Sequence, residues 1–167
     1  YELEVFESGP RLLGDHTLAI RSEISFLPVY RDQPLFSEIE QHLRNLGFLL
    51  MGFEELHHWR NSTKIKPPRR APGNVPFSRG QIIHGDALFM RDPATISDDT
   101  PEGIAKLFKS ALLALTYGFI DHANCMLKRP GIARYLKDTH DASAASIIPD
   151  VSRYWSRMER RKRIHDI

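Results

Sequence analysis

The fold is decided by residues 34–59, PLFSEIEQHLRNLGFLLMGFEELHHW. The first part of this stretch repeats apolar residues at helical spacing, at Leu35, Phe36, Ile39, Leu43 and Leu46. Pro34 suits the first turn of a helix, and Gly47 suits the left-handed residue that ends one. Residues 48–59 then carry enough apolar residues to predict a strand. The stretch therefore predicts a helix followed directly by a strand.

The flanking segments continue this alternation. Residues 3–13 predict a helix that is interrupted or ended by Gly9-Pro10, because proline clashes with the preceding turn. Residues 17–30 predict a buried strand, and residues 81–91 predict another, in which Gly85 favours a bulge. A chain that alternates helices and strands in this way predicts an α/β sheet.

Beyond residue 92 the pattern becomes helical. Thr100 and Pro101 predict the start of a helix, as its cap and its first residue. Apolar spacing predicts three helices here, at about 101–117, 119–128 and 131–137. The small polar residues at 138–150 predict a linker, and residues 151–163 predict a basic amphipathic helix.

Composition excludes several classes of protein. The 167 residues are 41% hydrophobic, which suits a folded domain and is too apolar for a disordered chain. No apolar run reaches the length of a membrane-spanning helix. The lone Cys125 excludes a disulfide framework and a cysteine-based zinc site, and it favours a reducing compartment. The first residues do not resemble a signal peptide, so we expect a cytoplasmic protein.

Charge is distributed unevenly along the chain. Residues 60–79 hold six basic residues and no acid, and residues 153–163 hold six basic residues and one acid. Because the net charge is only +2, the rest of the chain is acidic. The basic loop at 60–79 either recognises an anionic acceptor or is a solvated loop. The basic tail either contacts a membrane surface, nucleic acid or a partner helix, or docks on this protein; we do not expect nucleic-acid binding.

Five short motifs follow one another in a particular order: YELEV at 1–5, SEISFLPVY at 22–30, QPLF at 33–36, LGF at 46–48 and GDALFMRD at 85–92. Their order and spacing resemble the FkbM-family methyltransferases, which depend on S-adenosylmethionine. The likeness covers residues 1–92 and continues less closely through residues 101–128, whereas the tail after residue 138 resembles nothing in the family.

The resemblance implies a fold class and a domain organisation. Residues 1–92 would be the C-terminal half of a Rossmann-like class I methyltransferase sheet, which is mixed and contains one antiparallel strand. Residues 93–137 would be a helical extension, and residues 138–167 a linker with a basic amphipathic tail helix. In family terms, residues 17–27 would be the fifth strand and residues 81–91 the antiparallel seventh.

The sequence lacks the cofactor-binding motif that such folds use. Nucleotide-like cofactors sit on a glycine-rich turn after the first strand, and no two glycines here are two residues apart. Since the first residue is also not Met, we expect a fragment or a processed chain that holds no cofactor-binding residues. The missing half of the sheet would leave free strand edges, which favour association with that half or with a second copy.

The resemblance implies transfer of a methyl group from S-adenosylmethionine to a hydroxyl of a sugar, a glycan or a secondary metabolite. This chain would supply the acceptor side of the cleft and be inactive alone. An alternative is a non-catalytic methyltransferase-like module used for binding or assembly. The coding sequence upstream of Tyr1 distinguishes the two, because a glycine-rich strand–turn–helix there supports the enzyme.

Candidate site residues follow from the predicted sheet. Glu23 falls toward the carboxyl end of a strand, where α/β sheets bind ligands, and either accepts a substrate proton or serves only to cap a loop or pair with an arginine. An antiparallel strand at 81–91 would bring His84 to the same cleft, as a base or as a structural histidine. The candidates for binding the acceptor are Ser25, Tyr30, Gln33 and Gln81.

Other reactive side chains support weaker hypotheses. Asp86 is better suited to a turn or bulge than to catalysis. His57 and His58 are adjacent on a predicted strand and point to opposite faces, so we expect no metal site. Cys125 falls on the apolar face of a predicted helix, which does not favour a nucleophile.

Overall fold

The chain forms two units, Tyr1–Met90 and Arg91–Ile167, in a computed structural model that describes residues 2–59 and 80–165. Side chains are described as far as residue 160. The boundary between the units lies two residues before residue 92, the end of the first segment predicted from the sequence. The basic loop at 60–79 lies outside the described residues, so the hypotheses about it stay predictions.

The first unit alternates helices and strands. Its elements are α1 (Glu2–Ser8), a π-helical turn (Leu12–His16), β1 (Ala19–Ser25), α2 (Phe36–Asn45), β2 (Phe48–Trp59) and β3 (Gln81–Arg91), whose last residue is assigned to the second unit. The helix and strand predicted from residues 34–59 are confirmed, as is the strand at 81–91. The strand predicted at 17–30 is shorter, because the chain turns after Ser25.

The three strands form a small antiparallel sheet in the order β1-β3-β2. β1 and β3 pair antiparallel in a register that runs without a break from Ala19↔Met90 to Ser25↔His84. Because β3 runs antiparallel to β1, its first residues lie close to the last residues of β1. The first unit is therefore a mixed α/β structure in which the end of β1 lies beside the start of β3.

Gly85 does not form the predicted bulge. Its pairing with Ile24 is part of the unbroken register, and a left-handed φ of 50° occurs instead at Glu55 on β2. A Cβ at Gly85 would lie 2.8 Å from Leu56 Cδ2 and 3.1 Å from Leu56 Cα. Glycine stands here because the backbone of β2 approaches too closely for a side chain.

One face of the sheet is apolar and forms the core of the first unit. Alternate residues of a strand share a face, so Ile20 and Ile24 of β1 lie on the same face of the sheet as Ala87 and Phe89 of β3. Residues of α2 and the start of β2 complete this cluster: Ile39, Leu43 and Phe48. The intervening residues Arg21 and Glu23 are exposed on the opposite face. The sheet therefore has an apolar face and a face with polar side chains.

The second unit is helical in the described residues. It contains a short 3-10 turn (Pro93–Thr95), α3 (Pro101–Thr116), α4 (Ile120–Leu127), α5 (Pro130–His140) and α6 (Ala144–His165). The predicted cap is confirmed, since Thr100 Oγ1 accepts a hydrogen bond from the Gly103 N–H at 3.1 Å. Leu107, Ile132 and Leu136 are almost completely buried in this unit. None of the helices in the described part of the chain is both long and apolar enough to cross a membrane.

The predicted linker at 138–150 is wrong. α5 continues to His140 and α6 begins at Ala144, because Ser143 and Ser146 cap the new helix reciprocally. The Ser146 N–H donates to Ser143 Oγ at 3.2 Å, and the Ser143 N–H donates to Ser146 Oγ at 3.0 Å. Within the second unit, Trp155 Nε1 donates to the Leu115 carbonyl at 2.8 Å. The tail helix thus docks on its own unit, which was one of the alternatives.

Asp98 joins the segment before α3 to the start of α5. Its Oδ1 accepts a hydrogen bond from Arg129 at 2.7 Å, and its Oδ2 accepts one from the Gly131 N–H at 3.1 Å. The hydrogen bond from Arg129, followed by that from Gly131, lowers the pKa of the Asp98 carboxyl below its ordinary value of 3.8. The folded second unit therefore favours the ionised carboxylate.

Asp98→Asn is expected to lower the urea midpoint of unfolding more near neutral pH than in acid. A lowered pKa in the folded state adds stability above the ordinary value of 3.8, and this stability is lost as the pH falls through the folded-state pKa. Urea unfolding from about pH 7 to about pH 2 measures the difference between the variant and the wild type. Asp138→Asn, at an exposed position on α5, is the control. A deficit that stays constant with pH would contradict this assignment.

Candidate functional site

A cleft of about 580 Å³ opens at the carboxyl end of β1. Its walls come from the start of α1, the end of β1, the loop that follows β1 and α2, and the lining residues are Glu2, Glu4, Glu23, Ser25, Tyr30, Arg31, Asp32, Gln33, Pro34 and Ile39. Four of the residues predicted from the sequence are among them: Glu23, Ser25, Tyr30 and Gln33. His84, which was expected in the same cleft, is not among the lining residues. The carboxyl end of a strand is the expected place for a ligand in an α/β unit.

Glu23 and His84 lie next to each other on the polar face of the sheet. The Oε1 atom of Glu23 is 3.9 Å from Nδ1 of His84, and 65% of the Glu23 side chain is exposed. The antiparallel register places His84 directly opposite Ser25. The separation is too long for a hydrogen bond, and the two side chains form an ion pair only when His84 is protonated.

His57 of β2 packs against His84 on the far side from β1. The two imidazole rings stack with centroids 4.4 Å apart and planes inclined by 18°. The stack restricts how the His84 ring can rotate. The contact between His57 and His84 could not be predicted, because nothing in the sequence shows that β3 lies between β1 and β2.

Gln33 fastens the loop after β1 to the strand itself. Its side-chain Oε1 accepts hydrogen bonds from the backbone N–H groups of Val29 at 2.8 Å and Tyr30 at 3.2 Å. Its Nε2 donates to the hydroxyl of the buried Ser25 at 2.7 Å. The amide of Gln33 is therefore engaged within the protein, so its role in the cleft is to hold the loop.

Two sequence-based expectations are corrected by the register of β1 and β3. Asp86 lies within the strand opposite Glu23 and accepts hydrogen bonds from Arg21, at 3.0 Å from Nε and 2.5 Å from NH2, so it serves neither a turn nor a bulge. The hydrogen bond to Asp86 raises the pKa of the Arg21 guanidinium. Gln81 is exposed three residues before His84, past the point where β1 ends, and so does not join the cleft.

The charge of the cleft is mainly negative. Among the described residues, four carboxylates line it, from Glu2, Glu4, Glu23 and Asp32, and one guanidinium, from Arg31. The sequence does not predict Glu2 and Glu4 as site residues, because only the packing of α1 against α2 brings them to this cleft. These carboxylates by themselves disfavour an anionic molecule in the cleft.

The described residues contain no group of three His, Cys, Asp or Glu side chains arranged to hold a metal ion. Cys125, which we expected on an apolar helix face, is exposed. The connection from β1 to α2, residues 26–35, contains no glycine. This connection therefore does not form the glycine-rich turn on which nucleotide-like cofactors sit.

The fold and the cleft define the first unit as a mixed α/β module with a polar, acidic cleft at a strand end. Comparisons of the chain with models of protein families, with curated proteins and with solved structures find no match.

Proposed function

We propose that this chain is the acceptor side of an S-adenosylmethionine-dependent O-methyltransferase of the FkbM type. The acceptor is a hydroxyl of a sugar, a glycan or a secondary metabolite. Residues outside these 167 hold the cofactor, and the chain is inactive alone.

The observation that carries the proposal is the position of Glu23. Its exposed carboxylate lines the cleft at the carboxyl end of β1 and lies 3.9 Å from His84. Transfer of a methyl group to a hydroxyl requires removal of the hydroxyl proton, and a positioned carboxylate or imidazole performs this task as a general base. In the proposal Glu23 accepts the proton and His84 is the neighbouring group that stabilises or relays it.

The topology of the sheet also supports the proposal. The resemblance to the family implies a mixed sheet whose antiparallel strand begins near the end of its neighbour. In the first unit, β3 is antiparallel to β1 and its early residue His84 pairs with Ser25, the last residue of β1.

If other residues hold the cofactor, this chain alone should not bind it. We expect titration calorimetry to detect no stoichiometric binding of S-adenosylmethionine to the 167-residue chain, because its residues do not provide the glycine-rich turn. A longer polypeptide that includes a glycine-rich strand–turn–helix upstream is the positive control. Tight stoichiometric binding to this chain alone would refute the assignment of the cofactor to other residues.

The upstream coding sequence tests the alternative. If a glycine-rich strand–turn–helix precedes Tyr1 by no more than about 150 residues, the enzyme is supported. If unrelated sequence occupies that position, the non-catalytic module for binding or assembly takes its place.

A further inference from the structure

Tyr30 is an exposed aromatic side chain on the rim of the cleft. It is 73% exposed, the highest value among the large hydrophobic and aromatic side chains recorded as exposed in the described residues. No aromatic ring in the described part of the chain packs against it, although Phe26 and Phe36 nearby pack against each other. An aromatic ring left open beside a cleft is a common way to contact a ligand.

The loop that carries Tyr30 is held in one conformation. Gln33 accepts hydrogen bonds from the N–H groups of Val29 and Tyr30 and donates to Ser25, which is only 5% exposed. Asp32 within this loop has a left-handed φ of 57°. A side-chain amide anchored on a buried hydroxyl orders the backbone at Tyr30 before any ligand arrives, which lowers the entropy that binding must overcome.

We infer that Gln33 is a positioning residue that holds Tyr30 as a stacking platform for a ring-shaped, polyhydroxylated ligand that is uncharged or cationic. This inference rests on the proposed function, since it describes the acceptor of the same cleft. The C–H face of a saturated sugar ring packs on an aromatic face, while hydroxyl groups donate hydrogen bonds to carboxylates such as Glu23.

The charge of the cleft decides between ligand types. Among the described lining residues, the carboxylates of Glu4, Glu23 and Asp32 outnumber the guanidinium of Arg31. A sugar phosphate or a uronate would place its own negative charge among them, and like charges in a partly desolvated site repel. The platform therefore takes neutral sugars and amino sugars in preference to acidic ones.

Three probes of similar size test the inference on the 167-residue chain: methyl α-D-glucopyranoside, D-glucosamine and D-glucose 6-phosphate. Saturation-transfer NMR and chemical-shift titration are expected to show binding of the first two, with the ring C–H protons of the neutral sugar closest to the protein. The phosphate is expected to bind at least about tenfold more weakly. Equal or tighter binding of the phosphate would overturn the charge preference, and no binding of any probe would overturn the inference.

Variants of Tyr30 test the platform directly. Because the ring is exposed, its removal leaves the core intact. Tyr30→Ala is expected to weaken binding of methyl α-D-glucopyranoside about tenfold, whereas Tyr30→Phe retains the aromatic face and binds within about twofold of the wild type. Unchanged affinity in Tyr30→Ala would show that the ring is not a platform.

Variants of Gln33 test the positioning role. Gln33→Leu removes the acceptor of the Val29 and Tyr30 N–H groups, so amide hydrogen exchange at these two residues is expected to accelerate and affinity for the neutral sugar to fall. Gln33→Glu keeps the acceptor for the two N–H groups, and the Ser25 hydroxyl can donate to its carboxylate, so this variant is expected to restore both properties. If Gln33→Leu accelerates exchange without weakening binding, Gln33 does not act on the ligand through Tyr30.

The same measurements separate this inference from the proposed function. Suppose that a neutral sugar binds in a manner that depends on Tyr30 but that the longer form of the protein transfers no methyl group. The sugar site would then be supported, and the proposed methyltransferase function would be refuted. Methyl transfer to an acceptor that binds independently of Tyr30 would support the proposed function and refute the role of Tyr30 as a platform.

Discussion

Glu23→Gln is expected to reduce methyl transfer about 10²- to 10⁴-fold in a longer polypeptide that supplies the cofactor-binding residues required by the proposed function. The amide has the shape of the carboxylate but does not accept the proton of the acceptor hydroxyl. The exposed side chain of Glu23 lines the cleft and approaches His84, so the substitution changes the chemistry of the site with little effect on the core. The measurement is the rate of transfer from labelled S-adenosylmethionine at saturating acceptor.

Glu7→Gln is the matched control for this experiment. Glu7 is an exposed glutamate on α1, and it is not among the residues that line the cleft. We expect its rate to equal that of the wild type. If Glu23→Gln also retained the wild-type rate, Glu23 would not be the base, and His84 would be the remaining candidate among the residues that we assign to the site.

Leu43→Ala is expected to lower the free energy of unfolding of the first unit by about 2–5 kcal/mol. Leu43 is 0% exposed and belongs to the cluster in which α2 covers the apolar face of the sheet. Removal of its side chain loses the free energy of burial and leaves a cavity within this cluster. Since the same packing holds α2 and the loop before it, we also expect the cleft to lose its shape.

Urea unfolding followed by circular dichroism measures this effect. Leu49→Ala is the control, because Leu49 is 39% exposed and its truncation removes less buried surface. We expect the control to lose less than about 1.5 kcal/mol, the lower part of the range for truncation of apolar side chains. Equal losses in the two variants would show that α2 does not cover the core as described.

The elements of the first unit were predictable because local signals agree there. The apolar spacing of α2 and its flanking residues Pro34 and Gly47 define one helix, and β2 and β3 are the apolar stretches that follow. The start of α6 was missed for a physical reason. The small polar residues near Ser143 suit a linker by composition, yet Ser143 and Ser146 cap a helix through specific hydrogen bonds.

The candidate site was predictable where it is continuous along the chain. Glu23 and Ser25 at the end of β1, with Tyr30 and Gln33 in the next loop, reach one cleft because a strand end and its loop are close in space. Glu2, Glu4 and His57 reach the site only through packing between elements. The hydrogen bonding of Asp86 with Arg21 was also not predictable from the sequence, because it depends on the register of two strands.

Methyl transfer by the longer polypeptide tests the central claim most directly. The polypeptide is incubated with labelled S-adenosylmethionine and with neutral sugars, amino sugars and sugar phosphates, and the labelled products are separated and counted. We predict transfer to a hydroxyl of a neutral or amino sugar, or of a polyhydroxylated metabolite, that is lost in Glu23→Gln and kept in Glu7→Gln. A polypeptide that binds the cofactor stoichiometrically but methylates none of these acceptors would contradict the account.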